Sequence, residues 1–361
     1  MSTPAERRRG LVRLVEGEGV SRVSPPLLLE AGPYFDLAGE EFGRRMYLTS
    51  SNDGAEFALR PDFTLPIASA YLREGLLGSP VAFSYLGPVF RQRNDEAAEF
   101  EQAGLELLGQ PDADPALDRV FAFAGEVLGV FSVQSAVVRL GSISLFEAML
   151  AGAELPDVWR PRIRSRFGHP DALIRLLNRL ASPQGSTSGG LPWNRPALIG
   201  AVGEKMDMAG LSSAGGRTAI EIADRYLDKQ KLAASPVPAE TLALLKTYLG
   251  VSGDLRDALG NVDTLARDRG IDVSEPLERL LRHADAFAAG TPDAIVTFDA
   301  GFSPNLDYYT GVVFEVTGEG GRVLASGGEY DRLLERLGAG GPVAASGCAV
   351  WVDRLEREAA R

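Results

Sequence analysis

In the stretch EFEQAGLELLG, residues 99–109, an extended backbone would put Phe100, Gln102, Gly104 and Glu106 on one face and Glu101, Ala103, Leu105 and Leu107 on the other. Leu105 and Leu107 mark the core side. The opposite side carries an amide and a carboxylate flanking a glycine, which leaves room for a small polar ligand on the sheet. The same pattern also suits an ordinary solvated strand face. On the preceding strand-like run Tyr85, Gly87, Val89 and Arg91 share a side. Arg60 and Asp62 bracket a proline just ahead of a helical pattern, so Asp62 or Thr64 reads either as a ligand contact or as that helix's N-cap. FSPNLDYYTGVVFEV puts Asp307 and Tyr309 on one face and Tyr308 and Phe314 on the other, as paired core aromatics would be. Gly327 and Gly328, before YDRLLERLG, read as a phosphate cradle or a tight turn. Arg354 reads as an anion fork or a surface charge.

The elements that must position these residues follow from periodicity. ASAYLREGLL has helical spacing, and PVAFSYLGPVFRQR and EFEQAGLELLG are strand-like and joined by the polar turn NDEAA, which predicts an antiparallel hairpin. Residues 115–130 predict an amphipathic helix. A helical insertion is expected over 155–285, interrupted by SPQGSTSGGLP and AASPVPAE, between core parts 1–154 and 286–361. Strand patterns return after it in AIVTFDAGF, VVFEV, GGRVLASGG and ASGCAVWVDRLER. The fold class expected is α+β, one mixed sheet whose halves pair across the insertion.

Composition removes several functions. The 361 residues are 45% hydrophobic and 24% charged, the balance of a globular protein, and the net charge of −12 gives no electrostatic footprint for nucleic acid. His169, His283 and Cys348 are the only soft ligands, far apart in sequence, so no zinc site is expected. A lone cysteine fits a reducing compartment, and cytoplasm is the expected location. Arg7, Arg8 and Arg9 precede no apolar stretch of signal-peptide type, and no run is long enough to span a membrane. None of the lysines, Lys205, Lys229, Lys231 and Lys246, sits in a phosphate-binding GxxxxGK[ST] loop.

In order along the chain, PPLLLEAGPYFDLAGEEFGRRMYL, ALRPDFTLPIA, YLGPVFRQR with EFEQAGLELLG, NLDYYTGVVFEV, and SGGEYDRLLERLG with VDRLER resemble the motifs of class II aminoacyl-tRNA synthetases, and specifically the histidyl-tRNA synthetase family. The resemblance covers roughly residues 1–150 and 290–361. It implies a class II synthetase-like, mostly antiparallel sheet flanked by helices. It also implies that histidine's ammonium and imidazole are held by Asp62, Gln102, Glu106, Tyr308 and Tyr309, with Thr64 and Arg91 matching as well. Acids and an amide suit a cationic amine and a ring with two nitrogens.

The departures from the family pattern point away from catalysis. Pro304 stands where an active synthetase carries the arginine that neutralises charge during adenylation, and Asn305 replaces a glycine. Arg93 occupies the place of an adenine-contacting glutamate, and the turn that follows is shorter than the family's ATP loop. Only seven residues follow Arg354, so no anticodon-binding domain and no tRNA partner are expected. A pocket without chemistry resembles the regulatory subunits of ATP phosphoribosyltransferase, synthetase paralogues that pair with a short catalytic subunit in the first step of L-histidine biosynthesis. That resemblance implies no catalytic residue, no cofactor, L-histidine as ligand, and a homodimer within a hetero-oligomer. Two other readings stay open: a minimal histidine-activating synthetase or related ligase, supported by Arg91 and Arg354, and a ligand-free scaffold.

Overall fold

The computed structural model describes residues 2–37, 40–181, 194–209, 218–291, 293–304 and 308–361. SPQGSTSGGLP, Asn305 and Asp307 lie outside the described residues. Two compact units emerge. The first comprises 1–149, 167–170 and 248–361, and the second comprises 150–166 and 171–247.

Twelve strands are described, all in the first unit: β1 Ser21–Arg22, β2 Leu28–Glu30, β3 Leu48–Ser50, β4 Glu56–Leu59, β5 Val81–Phe90, β6 Glu99–Leu108, β7 Val137–Ser142, β8 Ser252–Asp254, β9 Ile295–Asp299, β10 Val312–Thr317, β11 Val323–Glu329 and β12 Ala345–Trp351. Nine form one sheet in the order β1-β5-β6-β12-β11-β10-β7-β9-β8, and β2-β4-β3 form a small second sheet. The pairs β1–β5 and β7–β9 are parallel and the rest of the large sheet is antiparallel. β6 pairs with β12 and β7 with β10, so the halves of the chain join across the helical middle as the sequence predicts.

The hairpin forms with Tyr85 opposite Gly104 and Phe83 opposite Glu106. Leu105 and Leu107 are buried, as expected of a core face. Over this side lies the helix Ala113–Val130, capped by the Asp112 carboxylate on the Asp114 N–H. Its apolar stripe Leu117, Val120, Phe121, Ala124 and Leu128 is buried, and Phe121 meets Phe287 and Phe314 edge to face at 5.3 and 5.0 Å. The even face of β6 is buried too: Gln102 and Glu106 are 2% and 1% exposed, which excludes the solvated-face reading. It sits in a second cluster with Tyr34, Phe63, Tyr85, Tyr308 and Tyr330.

Helical periodicity alone cannot say what a helix packs against, and the difference shows between 248 and 285. Helices Leu255–Arg267 and Ser274–Gly290 bury Leu259, Val262, Leu280 and Phe287 with the sheet-bearing unit, and β8 pairs with β9, so the purely helical unit closes at 247. That unit has its own small core of Leu198, Val202 and Ala223, with Arg195 forked onto Asp224 at 2.6 and 2.7 Å. Among the described residues no helix is long and apolar enough to cross a membrane, and none of the His, Cys, Asp and Glu residues cluster as a metal site.

Candidate functional site

Asp62, Thr64, Arg91, Gln102, Tyr308 and Tyr309 line one cavity of about 50 Å³, together with Phe42, Tyr85, Tyr330 and Trp351. Glu106 lies at its wall, bonded to three of the lining side chains. Residues that are distant in sequence are therefore assembled by the β5–β6 hairpin, by the start of the helix Thr64–Arg73, and by the segment leading into β10.

Asp62 and Thr64 enter through the loop after β4. Arg60 anchors that loop: its buried guanidinium bonds the Pro25 carbonyl, donates to the Pro88 carbonyl at 2.7 Å, and lies 3.9 Å over the Phe63 ring. The helix that follows has Phe63 at its N-cap with no side-chain cap bond. Thr64 is thereby free of capping duty and donates its hydroxyl to Glu106 at 2.6 Å. The Asp62 carboxylate accepts the Leu65 N–H, a cap-like bond, and a long bond from the Tyr34 hydroxyl at 3.4 Å. Its Oδ2 is buried without a hydrogen-bond partner. Capping and ligand contact are both compatible with this side chain.

Glu106 is the most enclosed acid among the described residues. It accepts from Thr64, from Tyr85 at 3.4 Å, and from the Tyr330 hydroxyl through a short bond. Two glycines make this close packing possible. A Cβ at Gly104 would strike the Tyr85 hydroxyl and the Cys348 carbonyl, and one at Gly347 would strike the Glu106 carboxylate. The space above Gly104 is thus taken by the Tyr85 phenol and is not open floor. Burial pushes the Glu106 carboxyl up to about 8, reinforced by the charge of Asp62 and opposed by the bonds from Thr64, Tyr330 and Tyr85. Burial likewise pushes Asp62 up to about 6 against the pull of Arg91, the Leu65 N–H, Tyr34 and Arg60.

Both carboxyls hold a proton more tightly folded than unfolded, so the native state binds more protons across the interval from about 4 to about 8 and stability falls as pH rises through it. Calorimetric melting between pH 5 and 8.5 is expected to show this decline, at up to about 1.4 kcal/mol per pH unit for one proton. Glu106→Gln should flatten the slope above pH 6, and an unchanged slope in that variant would contradict the assignment.

Arg91 is half-buried, with its guanidinium 5.1 to 5.7 Å from the rings of Phe100, Phe42 and Trp351, and desolvation lowers its pKa to about 10. Its Nε and the Gln102 Oε1 are buried without partners, like the Asp62 Oδ2. Buried polar atoms are ordinarily satisfied, so these three leave donor and acceptor capacity around one cavity.

The tyrosine pair departs from expectation. Tyr308 and Tyr309 precede β10, which begins only at Val312, so they do not alternate across a strand. The chain is held off there by Glu329, whose carbonyl accepts the Thr310 N–H and whose carboxylate accepts the Val312 N–H at 2.8 Å. Both rings converge on the same cavity, 5.1 Å apart, and Tyr330 stands edge-on to both. Tyr34 and Tyr330 are the site neighbours that sequence reasoning did not single out. Tyr85 carried a signal only through its position on the hairpin face shared with Arg91.

Pro304, half-buried, lies on the wall of a neighbouring cleft that contains Arg91, Arg93 and Arg354. Arg93 points into structure: it donates to the Ala97 carbonyl at 2.8 Å and to Asp353 at 3.0 Å, and lies 3.7 Å over the Phe100 ring. The segment Gly327–Gly328 belongs to β11 and pairs with Cys348 and Gly347 of β12, so a sheet and not a phosphate cradle accounts for these glycines.

The family model for histidyl-tRNA synthetase matches residues 2–171 and 206–355. The chain is 39% identical, over 97% of its length and 97% of the relative's, to a protein from Mesorhizobium japonicum named ATP phosphoribosyltransferase regulatory subunit. It is 37% identical to one of the same name from Sinorhizobium medicae, over 96% and 95%. Among solved structures, a Bacillus halodurans protein described as an ATP phosphoribosyltransferase regulatory subunit/histidyl-tRNA synthetase superposes with a TM-score of 0.68 at 19% identity, covering 99% of this chain and 79% of that one. The histidyl-tRNA synthetase of Nostoc gives 0.59 at 17% identity, over 98% and 74%. These two likenesses speak to the fold.

Proposed function

The chain belongs to the ATP phosphoribosyltransferase regulatory subunits, a histidyl-tRNA synthetase-like family, and from that premise we propose that it is the non-catalytic, histidine-sensing partner of a short ATP phosphoribosyltransferase catalytic subunit. In this reading it activates the first step of L-histidine biosynthesis in the cytoplasm and carries feedback to it. The observation that carries the proposal is the cavity in which Asp62, Thr64, Arg91, Gln102, Tyr308 and Tyr309 converge beside Glu106, with unpartnered polar atoms on Asp62, Arg91 and Gln102.

The size of the cavity supports a sensing role. About 50 Å³ holds a few waters, so a whole amino acid enters only if lining side chains move aside. Binding then favours one arrangement of the site over another, which is what a feedback signal requires. The first-motif segment supports a homodimer. Leu27, Leu28, Phe35, Tyr47 and Leu48 are all more than a third exposed on and around the small sheet, an apolar surface that a symmetric copy would cover.

The test is to mix the protein with the short catalytic subunit from the same cell and follow phosphoribosyl-ATP formation with and without histidine. Expected are co-elution in size exclusion, higher turnover than the catalytic subunit alone, and histidine inhibition reflecting a coupling of roughly 5-fold to 150-fold. No complex and no change in turnover would defeat the proposal.

A further inference from the structure

Next to the Asp62–Glu106 cavity, sharing Phe42, Arg91, Ser326 and Trp351 with it, lies a larger cleft of about 540 Å³. Arg45, Arg91, Arg93 and Arg354 stand on its wall. Forked cations at this density suit an oligoanion, above all a phosphate-bearing one. Two acids, Glu96 and Glu315, stand on the same wall, and Glu96 already meets Arg93 and Arg354. Glu96, in the β5–β6 turn, accepts from Arg354 Nη2 at 2.7 Å and Nε at 3.2 Å, from Arg322 at 2.8 Å and from Arg357 at 3.0 Å, and lies 3.4 Å from Arg93 Nη1. Its side chain is 6% exposed. Burial would raise its pKa, but the bond from Arg354 and the charges of Arg354, Arg93 and Arg322 hold the carboxyl below its ordinary range.

We propose that Glu96 is a tethered anion that occupies the arginine cleft in place of a phosphate-bearing ligand and so closes it to nucleotides and pyrophosphate. A carboxylate fixed on a short turn competes at a high effective concentration, because its binding is intramolecular. An incoming phosphate that takes Arg354 must also leave Glu96 without its strongest contacts, a costly state for a buried charge. The cleft keeps spare donor capacity beside Glu96, since the Arg93 Nη1, 3.4 Å from its carboxylate, is buried with no hydrogen-bond partner. Arg322 and Arg357 come from the β10–β11 turn and from the terminal helix Val352–Glu358, so the same carboxylate also pins the hairpin tip to both. This inference concerns a separate cavity and does not depend on histidine binding.

The experiment is calorimetric titration of the full chain with ATP and, separately, with inorganic pyrophosphate. Wild type should bind both weakly. Glu96→Gln, which keeps the shape and removes the charge, should bind both about 10-fold to 100-fold more tightly. The gain should shrink with added salt and disappear in Glu96→Gln/Arg354→Gln. Glu96→Asp, which keeps the charge but withdraws it by one methylene, should give a smaller gain and guards against a variant turn that loses its order. Wild type binding either probe as tightly as Glu96→Gln, or no gain in both single variants with unchanged circular dichroism, would overturn the proposal.

Discussion

Histidine-dependent exchange of pyrophosphate into ATP is expected to run at least about 100-fold to 1000-fold more slowly with this chain than with an ordinary synthetase, the usual cost of removing one preorganised stabiliser of transition-state charge. Pro304 stands on the wall of the arginine cleft where the family pattern has an arginine, and a proline offers neither a cation nor an N–H. The loss goes beyond one position. Arg93 is committed to Ala97, Asp353 and the Phe100 ring, and Arg354 is held by Glu96 and by the Val323 carbonyl. Arg354 presents no free fork to a triphosphate, and Arg93 has only its buried Nη1 without a hydrogen bond. Pro304→Arg alone is therefore expected to leave exchange at background, because it restores one charge and frees none. An exchange rate within about tenfold of a working synthetase would refute the non-catalytic reading and revive the synthetase alternative.

What could be read from the sequence, and what could not, divides along the range of the interactions. The β5–β6 hairpin and its two faces were legible because a strand's period is local, and Leu105 and Leu107 oriented it. The union of β7 with β10 and of β6 with β12 was legible only as a need for partners, since register across more than a hundred residues leaves no local trace. The tyrosine pair misled for a local reason: β-type residues follow it, but Glu329 ties the backbone off so that the strand begins at Val312. The Tyr330 contact with Glu106 spans 224 residues and had no signature beyond an aromatic after two glycines. Glu96 looked like one more polar turn residue, because nothing in NDEAA announces the arginines that arrive from the β10–β11 turn and the terminal helix. The family motifs named most of the cavity's polar residues, but Tyr330 on Glu106 and Tyr34 on Asp62 came only from the three-dimensional arrangement.

Glu106→Ala and Asp62→Ala are each expected to weaken histidine binding by about 10-fold to 100-fold, since a hydrogen bond to a charged group contributes roughly 1.5 to 3 kcal/mol. The two substitutions should differ in their proton traffic. With its pKa near 8, Glu106 is mostly protonated in the unliganded protein at pH 7, whereas Asp62, near 6, is mostly ionised. A cationic ammonium or imidazole brought against Glu106 favours the carboxylate, so binding should expel a proton from that site. Titrations in buffers of different ionisation enthalpy measure that release directly. Wild type should release up to about one proton per histidine at pH 7 and less at pH 8.5, where the carboxyl is already largely ionised. Glu106→Gln should abolish most of the release, while Asp62→Asn, which removes only one charge that raises the Glu106 pKa, should change affinity and reduce the release less. In the assembled complex the same Glu106→Ala substitution should remove histidine inhibition of phosphoribosyl-ATP formation yet leave activation intact, because the acid is buried at the proposed histidine cavity and not on an exposed surface. Equal binding by wild type and both alanine variants, or inhibition that persists unchanged in Glu106→Ala, would move the histidine sensor out of this cavity.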